Sequence, residues 1–148
     1  MAQRLNNLND IIAVLKGGAD FYRKASRQSD DGDLSQLFLQ HAELRETVAR
    51  DLSNIIEDVG GEVKEGSAME STMKVATQAS AYVSNKEKTL VSGLEEHEDR
   101  TLAVFRKAIH HPDNARDEEM LANHMAQFEQ SHERMKALKE GNAPAAKA

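Results

Sequence analysis

Cysteine is absent from the 148 residues. Disulfides, thiolate chemistry, zinc fingers and cysteine-ligated iron–sulfur clusters are therefore excluded, while the redox compartment stays open. Proline occurs only at Pro112 and Pro144, tryptophan is missing, and aromatics make up 4% of the chain. So few aromatics and β-branched runs weigh against a sheet protein. No apolar run approaches the ~20 residues that a membrane-spanning helix needs. Polar residues interrupt the N-terminal MAQRLNNLNDIIAVLKGG, which lacks the apolar centre of a signal peptide. A cytoplasmic protein with no membrane partner is the expectation.

What the chain does have is charge and helix formers. Nineteen basic and 25 acidic residues leave a formal net charge of −6. An acidic surface repels phosphate, so nucleic acid is not expected as a partner. Both signs are interspersed, as on solvated helix faces. Ala, Leu, Glu, Lys, Arg and Gln are abundant and favour helix. The length suits one domain with one core.

Four amphipathic segments follow the 3-4 spacing of a helix. The first, about residues 4 to 27, carries Leu5, Leu8, Ile12, Leu15, Ala19 and Tyr22. The turn SDDGD ends it, and Asp33 with Gln36 forms a capping box for the second helix, about 34 to 59. Its stripe runs through Leu37, Phe38, His41, Leu44, Val48, Leu52 and Ile56, and Gly60-Gly61 stops it. A long connection, residues 60 to 84, contains a short helical pattern around Met69, Met73 and Val83. Ser84 and Glu87 cap a third helix, about 85 to 110, with Leu94, Thr101, Phe105 and Ala108 on its stripe. His110-His111-Pro112-Asp113 breaks it, and a fourth helix spans about 114 to 139. Residues 1–140 read as one bundle domain and 141–148 as a disordered tail. The expected fold is all-α: a ferritin-like, up-down four-helix bundle with one long crossover, containing a short helix, between the second and third helices.

The stretch FEQSHERM places Glu129 and His132 three residues apart, one helical turn apart on one side. Carboxylate-bridged two-metal bundles take such a Glu-x-x-His pair from each of two helices and further Glu from the others. The stretches LNDIIAVLKGGADFYRKAS, LFLQHAELR, VGGEV, LEEHEDRTLAVFRKAI and HMAQFEQSHERMKAL cover most of the chain. Through them it resembles bacterial ferritin-like proteins of unknown function. That resemblance implies a four-helix bundle and no particular reaction.

At ~100° per residue, Asp20 lies roughly 120° from the first helix's apolar centre, and Ala19 and Tyr22 point inward. On the second helix His41 is central, Arg45 sits at the stripe's edge, and Glu43 and Glu46 face out. Glu98 points inward from the third helix. On the fourth, His124 and His132 lie near the centre and Glu129 at the edge. A depleted metal site of His41, Glu98, Glu129 and His132 is one expectation, with iron, manganese or zinc as the cofactor suited to imidazole and carboxylate. The other is a structural network in which Tyr22, His41 and Glu98 bond, with Glu98 paired to Arg45 or His41. His97, His110 and His111 are assigned to the surface or turns, and the methionines to core filling. Gly17-Gly18 inside the first helix points to a bend or a close helix approach there. No G-x-S-x-G elbow, phosphate loop or dinucleotide fingerprint occurs.

Two functions fit these residues. One is a structural or stress-related helical protein, a homo-oligomer or partner-binding module, which calls for an apolar patch on one face. The other is a metal-binding, oxidative ferritin-like protein.

Overall fold

The computed structural model describes residues 2–64 and 86–139. Four long helices carry the fold: α1 (Ala2–Gln28), α2 (Gly32–Asp58), α3 (Lys86–His110) and α4 (Glu118–Lys139). A 3-10 turn, Pro112–Asp117, joins α3 to α4. No strand occurs among the described residues, so the all-α class holds. The short helix expected between α2 and α3, the Ser84 cap and the disordered tail fall outside the described residues. Among the described residues, no helix is long and apolar enough to cross a membrane.

Two boundaries differ from expectation for local reasons. The cap of α2 is Asp31, whose Oδ1 accepts from the Leu34 N–H at 3.0 Å, rather than Asp33. Helix α2 therefore begins one half-turn earlier, with Asp33 in its first turn, where its charge meets the positive helix end. The fourth helix begins at Glu118, because Asn114 leaves helical geometry (φ −103°, ψ 19°). The His111 Nδ1 caps this turn by accepting from the Asp113 N–H at 3.1 Å, just before Pro112. At the far end of α2, Gly60 takes φ 78° and the Gly61 N–H reaches the Ile56 carbonyl at 2.9 Å. The left-handed turn residue is Gly60, whereas Gly61 serves packing: a Cβ there would come within 2.7 Å of Leu5 Cδ1 and 3.2 Å of the Ile56 carbonyl.

Helix α1 packs on both α2 and α3, and α3 packs on α4. The α1–α2 hairpin is tied by Ser26 with Ser35 and by Arg23 with Glu46. Helix α1 is also antiparallel to α3: Arg4 meets Asp117 at one end, and Tyr22 meets Glu98 nearer the other. Helices α2 and α3 consequently run in the same direction.

The core has two apolar clusters. The larger gathers Leu8, Ile12, Leu15, Leu52, Ile56, Phe105, Leu121 and Phe128. The smaller gathers Ala19, Phe21, Tyr22, Phe38, Ala42 and Leu94. On α2, Arg45 falls between Ala42 and Val48; on α3, Glu98 falls between Leu94 and Leu102. A buried polar layer thus separates the clusters.

The larger cluster ends at a second buried polar group. Arg4 donates from Nε and Nη2 to both oxygens of Asp117, at 2.9 and 2.8 Å. Asn114 accepts from Asn7 at 2.6 Å and donates to Asp117 at 3.0 Å. Burial works against ionising Asp117, but the donors Arg4 and Asn114 and the Arg4 charge outweigh it and hold its pKa below the ordinary carboxylate range. This clasp fixes the start of α1 to the α3–α4 turn. Asp117→Ala, which removes the carboxylate that Arg4 and Asn114 bond, is expected to lower stability by about 2–3 kcal/mol in urea unfolding.

Candidate functional site

The polar layer draws one or two residues from each long helix. Tyr22 comes from α1, His41 and Arg45 from α2, Glu98 from α3 and Ser131 from α4. Arg45 and Glu98 are both fully buried and form an ion pair. Burying two charges is tolerable only when they are paired and hydrogen-bonded. Here Glu98 Oε1 accepts from Arg45 Nη2, from the Tyr22 hydroxyl and from Ser131 Oγ, the last at 2.7 Å. Arg45 Nη1 also donates to the His41 carbonyl at 3.1 Å, one turn back on α2.

The Arg45 guanidinium lies between two rings, 4.6 Å from the Tyr22 centroid and 4.9 Å from that of Phe128. Cation–π attraction adds to the ion pair there. Space for the long side chain comes from α1: a Cβ at Gly18 would sit 3.1 Å from Arg45 Nε and 3.2 Å from its Cδ. The glycine pair thus has a packing role at Gly18. Gly18→Leu is expected to destabilise by about 1–3 kcal/mol, because its side chain would displace Arg45, which is fully buried and paired to Glu98. Calorimetry checks this by introducing Gly18→Leu into the natural chain and into an Arg45→Ala background: its cost should be smaller in the second.

His41 belongs to the same network. Its Nδ1 lies 2.5 Å from Ser131 Oγ, and its ring stacks on Tyr22 at 5.1 Å between centroids. Burial, then the charges of Arg45 and Arg134, lower its pKa to about 3, so the ring is neutral at neutral pH. Ser131 has one proton and gives it to Glu98, so the bond to His41 requires a proton on Nδ1. Nε2 then carries the lone pair. Tyr22 is held protonated far above the usual phenol range, first by burial and then by the Glu98 charge. The arrangement is not a nucleophilic triad. Ser131 stands between base and carboxylate, so the carboxylate orients the serine and not the imidazole.

The four residues expected to share a metal occupy two places. His41 and Glu98 meet in the polar layer, joined through Ser131. Glu129 is exposed, and with the half-buried His132 it lines an outer depression between α3 and α4, beside Asp99, Arg106 and Glu133. There His132 Nε2 lies 2.6 Å from Asp99 Oδ1. Among the described residues, no group of three or more His, Asp or Glu is placed to hold a metal ion. Within the layer, the cation beside Glu98 is Arg45.

Two placements on the helices need correction. The buried face of α4 is Leu121, Phe128 and Ser131, while His124 and His132 are only half-buried. Ser131 and His132 are neighbours about 100° apart, so only one of them can face the core centre. His97 is fully buried, not a surface residue, with its ring 4.2 Å from that of Phe21. Ser131 went unpredicted, because a serine gives no signal in an apolar stripe. The burial of His97 had a partial signal in its position about one residue from Glu98 on the inward side of α3.

Comparison with curated proteins and with solved structures gives no match. A family model matches residues 3–111, which takes in α1, α2 and α3 and therefore Tyr22, His41, Arg45 and Glu98, while Ser131 lies beyond it. On this match the chain belongs to the family described as a domain of unknown function, DUF2383.

Proposed function

We propose that this chain is a ferritin-like helical bundle whose buried polar layer is structural, and that it acts through self-association or partner binding. The observation carrying this reading is Arg45, a buried guanidinium paired with Glu98 in the centre of the helices. A ligand set must present lone pairs to an open position. Here the inward carboxylate already faces a fixed internal cation. The common direction of α2 and α3 supports the ferritin-like sense of the bundle, in which a long crossover joins the second helix to the third.

Where the layer reaches a cleft, at His41 and Ser131, the proton sits on Nδ1 and the serine donates to Glu98, so the imidazole does not activate the serine and the surface carries the activity. Among the described residues the one large exposed hydrophobe is Val59. The apolar face called for by an assembly reading is therefore not found among them, and contacts on these helices rely on polar and charged groups. A homo-oligomer in the cytoplasm is the form proposed.

Equilibrium sedimentation of the full chain, with and without 0.5 M-scale salt (on the order of a 4 Å Debye length), tests the assembly. A salt-sensitive dimer or larger species is expected, and a monomer at all concentrations contradicts it. Loading with Fe(II), Mn(II) or Zn(II) under anaerobic conditions, followed by dialysis and metal analysis, tests the structural layer. Substoichiometric metal is expected. Stoichiometric metal lost on Glu98→Ala or His132→Ala would overturn the reading in favour of an iron, manganese or zinc protein.

A further inference from the structure

Both buried ion pairs among the described residues join the α1–α2 hairpin to the half of the chain that holds α3 and α4: Arg4 with Asp117, and Arg45 with Glu98. Among the described residues, ion pairs nearer the surface stay inside one half, as Arg23 does with Glu46 and His132 with Asp99. The buried charges are also sorted by sign. The first half supplies the cation each time, and the second half supplies the anion. Other polar contacts cross beside them: Asn7 donates to Asn114 at 2.6 Å, and His41 meets Ser131.

Each half is therefore incomplete alone and complementary to the other. Two first halves face to face would bury guanidinium against guanidinium, and two second halves carboxylate against carboxylate. Only unlike halves can pair. This complementarity holds equally when the two halves come from two copies of the chain.

Chain direction shortens the route to a second copy. Helices α2 and α3 run the same way, so the joining residues 65–85 must pass the length of the bundle when both halves lie in it. Helix α3, with 25 residues, sets that length at about 37 Å. In two bundles related by a two-fold axis across their length, the end of one α2 is level with the start of the other bundle's α3. The joining chain then crosses only between neighbours. Fully extended it reaches about 70 Å, enough for either route.

We propose that the chain forms a hairpin-exchanged dimer, in which α1–α2 of one copy packs with α3–α4 of the other. Each of its two polar layers takes Tyr22, His41 and Arg45 from one chain and Glu98 and Ser131 from the other. This rests on the assembly reading and gives it a mechanism. The dimer needs no apolar patch, in keeping with Val59 as the one large exposed hydrophobe among the described residues. Exchanged contacts are the same in monomer and dimer and cancel. Polar contacts between the two bundles and the route of the joining chain set the equilibrium, which keeps it sensitive to salt.

The test uses the full chain. Uniformly ¹³C-labelled and unlabelled copies are mixed in equal amounts in urea, refolded together, and the dimer is isolated by size. Isotope-filtered NMR then reads contacts only between a labelled and an unlabelled chain. Phe21 and His97 lie on opposite halves with their rings 4.2 Å apart, so cross-peaks between these rings should pass the filter. A dimer whose Phe21–His97 contacts all lie within one chain overturns the exchange and leaves the assembly reading standing. A chain that gives no dimer at any concentration overturns both.

Discussion

Replacing Glu98 by Gln should lower the stability of the bundle by about 3–5 kcal/mol, the cost of leaving a buried charge without its partner. The substitution keeps the size of the side chain and an oxygen for the donors Tyr22 and Ser131. It removes the negative charge that Arg45 faces in a fully buried position. Arg45 has no route to water without opening the bundle, because it is fully buried, with the Tyr22 and Phe128 rings and Gly18 against it. For a domain of this size, such a loss corresponds to a melting temperature lower by on the order of 10 °C. Calorimetry measures it directly. A change below about 1 kcal/mol, typical of an exposed ion pair, would mean that the pair is not the buried keystone described above.

Acid sensitivity beginning near pH 6.5 is the second large expected effect. In the unfolded chain His41 titrates at its ordinary value of 6.5, whereas in the fold its pKa is about 3. Between those values the unfolded chain binds a proton that the folded chain does not. Stability is therefore greatest above pH 6.5 and falls as the pH drops toward 3, by up to about 1.4 kcal/mol per pH unit. Asp117 and Glu46, both held below their ordinary pKa values, act in the same direction but at lower pH. The slope between pH 6.5 and 5 thus lies above the carboxylate range, and a His41 variant separates His41 from the other histidines. Urea unfolding across that interval should show the slope in the natural chain and a flatter one in His41→Gln. An unchanged slope in the variant would assign the acid sensitivity to other groups.

The helices were legible in the sequence because their apolar residues keep a period near 3.6 over six or seven turns, and because the turns are punctuated by SDDGD, Gly60-Gly61 and Pro112. Tyr22, His41 and Glu98 were legible for the same reason, since polar residues stand out when they fall on an apolar stripe. Arg45 was visible only at the edge of its stripe. Its complete burial depends on Gly18, Tyr22 and Phe128 closing around it from two other helices. Nothing local marks Asp117 as buried, and only the arrival of Arg4 from 113 residues away makes it a buried partner. Ser131 carries neither hydropathy nor charge, so its bridge between His41 and Glu98 could not be read from any local pattern. Glu129 and His132 show the reverse error. Their spacing matches a ligand pair, but Phe128 and Ser131 take the inward positions and turn the motif toward the surface. Spacing fixes which residues share a helix side; packing of the whole bundle decides which side is inside.

The central claim is that Arg45 and Glu98 act as one internal unit on which the polar layer is built. A double-mutant cycle measures this most directly, with Arg45→Met, Glu98→Leu and the pair of changes together, followed by chemical unfolding. Each single change leaves one buried charge unpaired, and the double change leaves none. The double variant is expected to be more stable than either single one, with a coupling of about 3 kcal/mol or more. Additive losses, with the double variant the least stable of the three, would contradict the account.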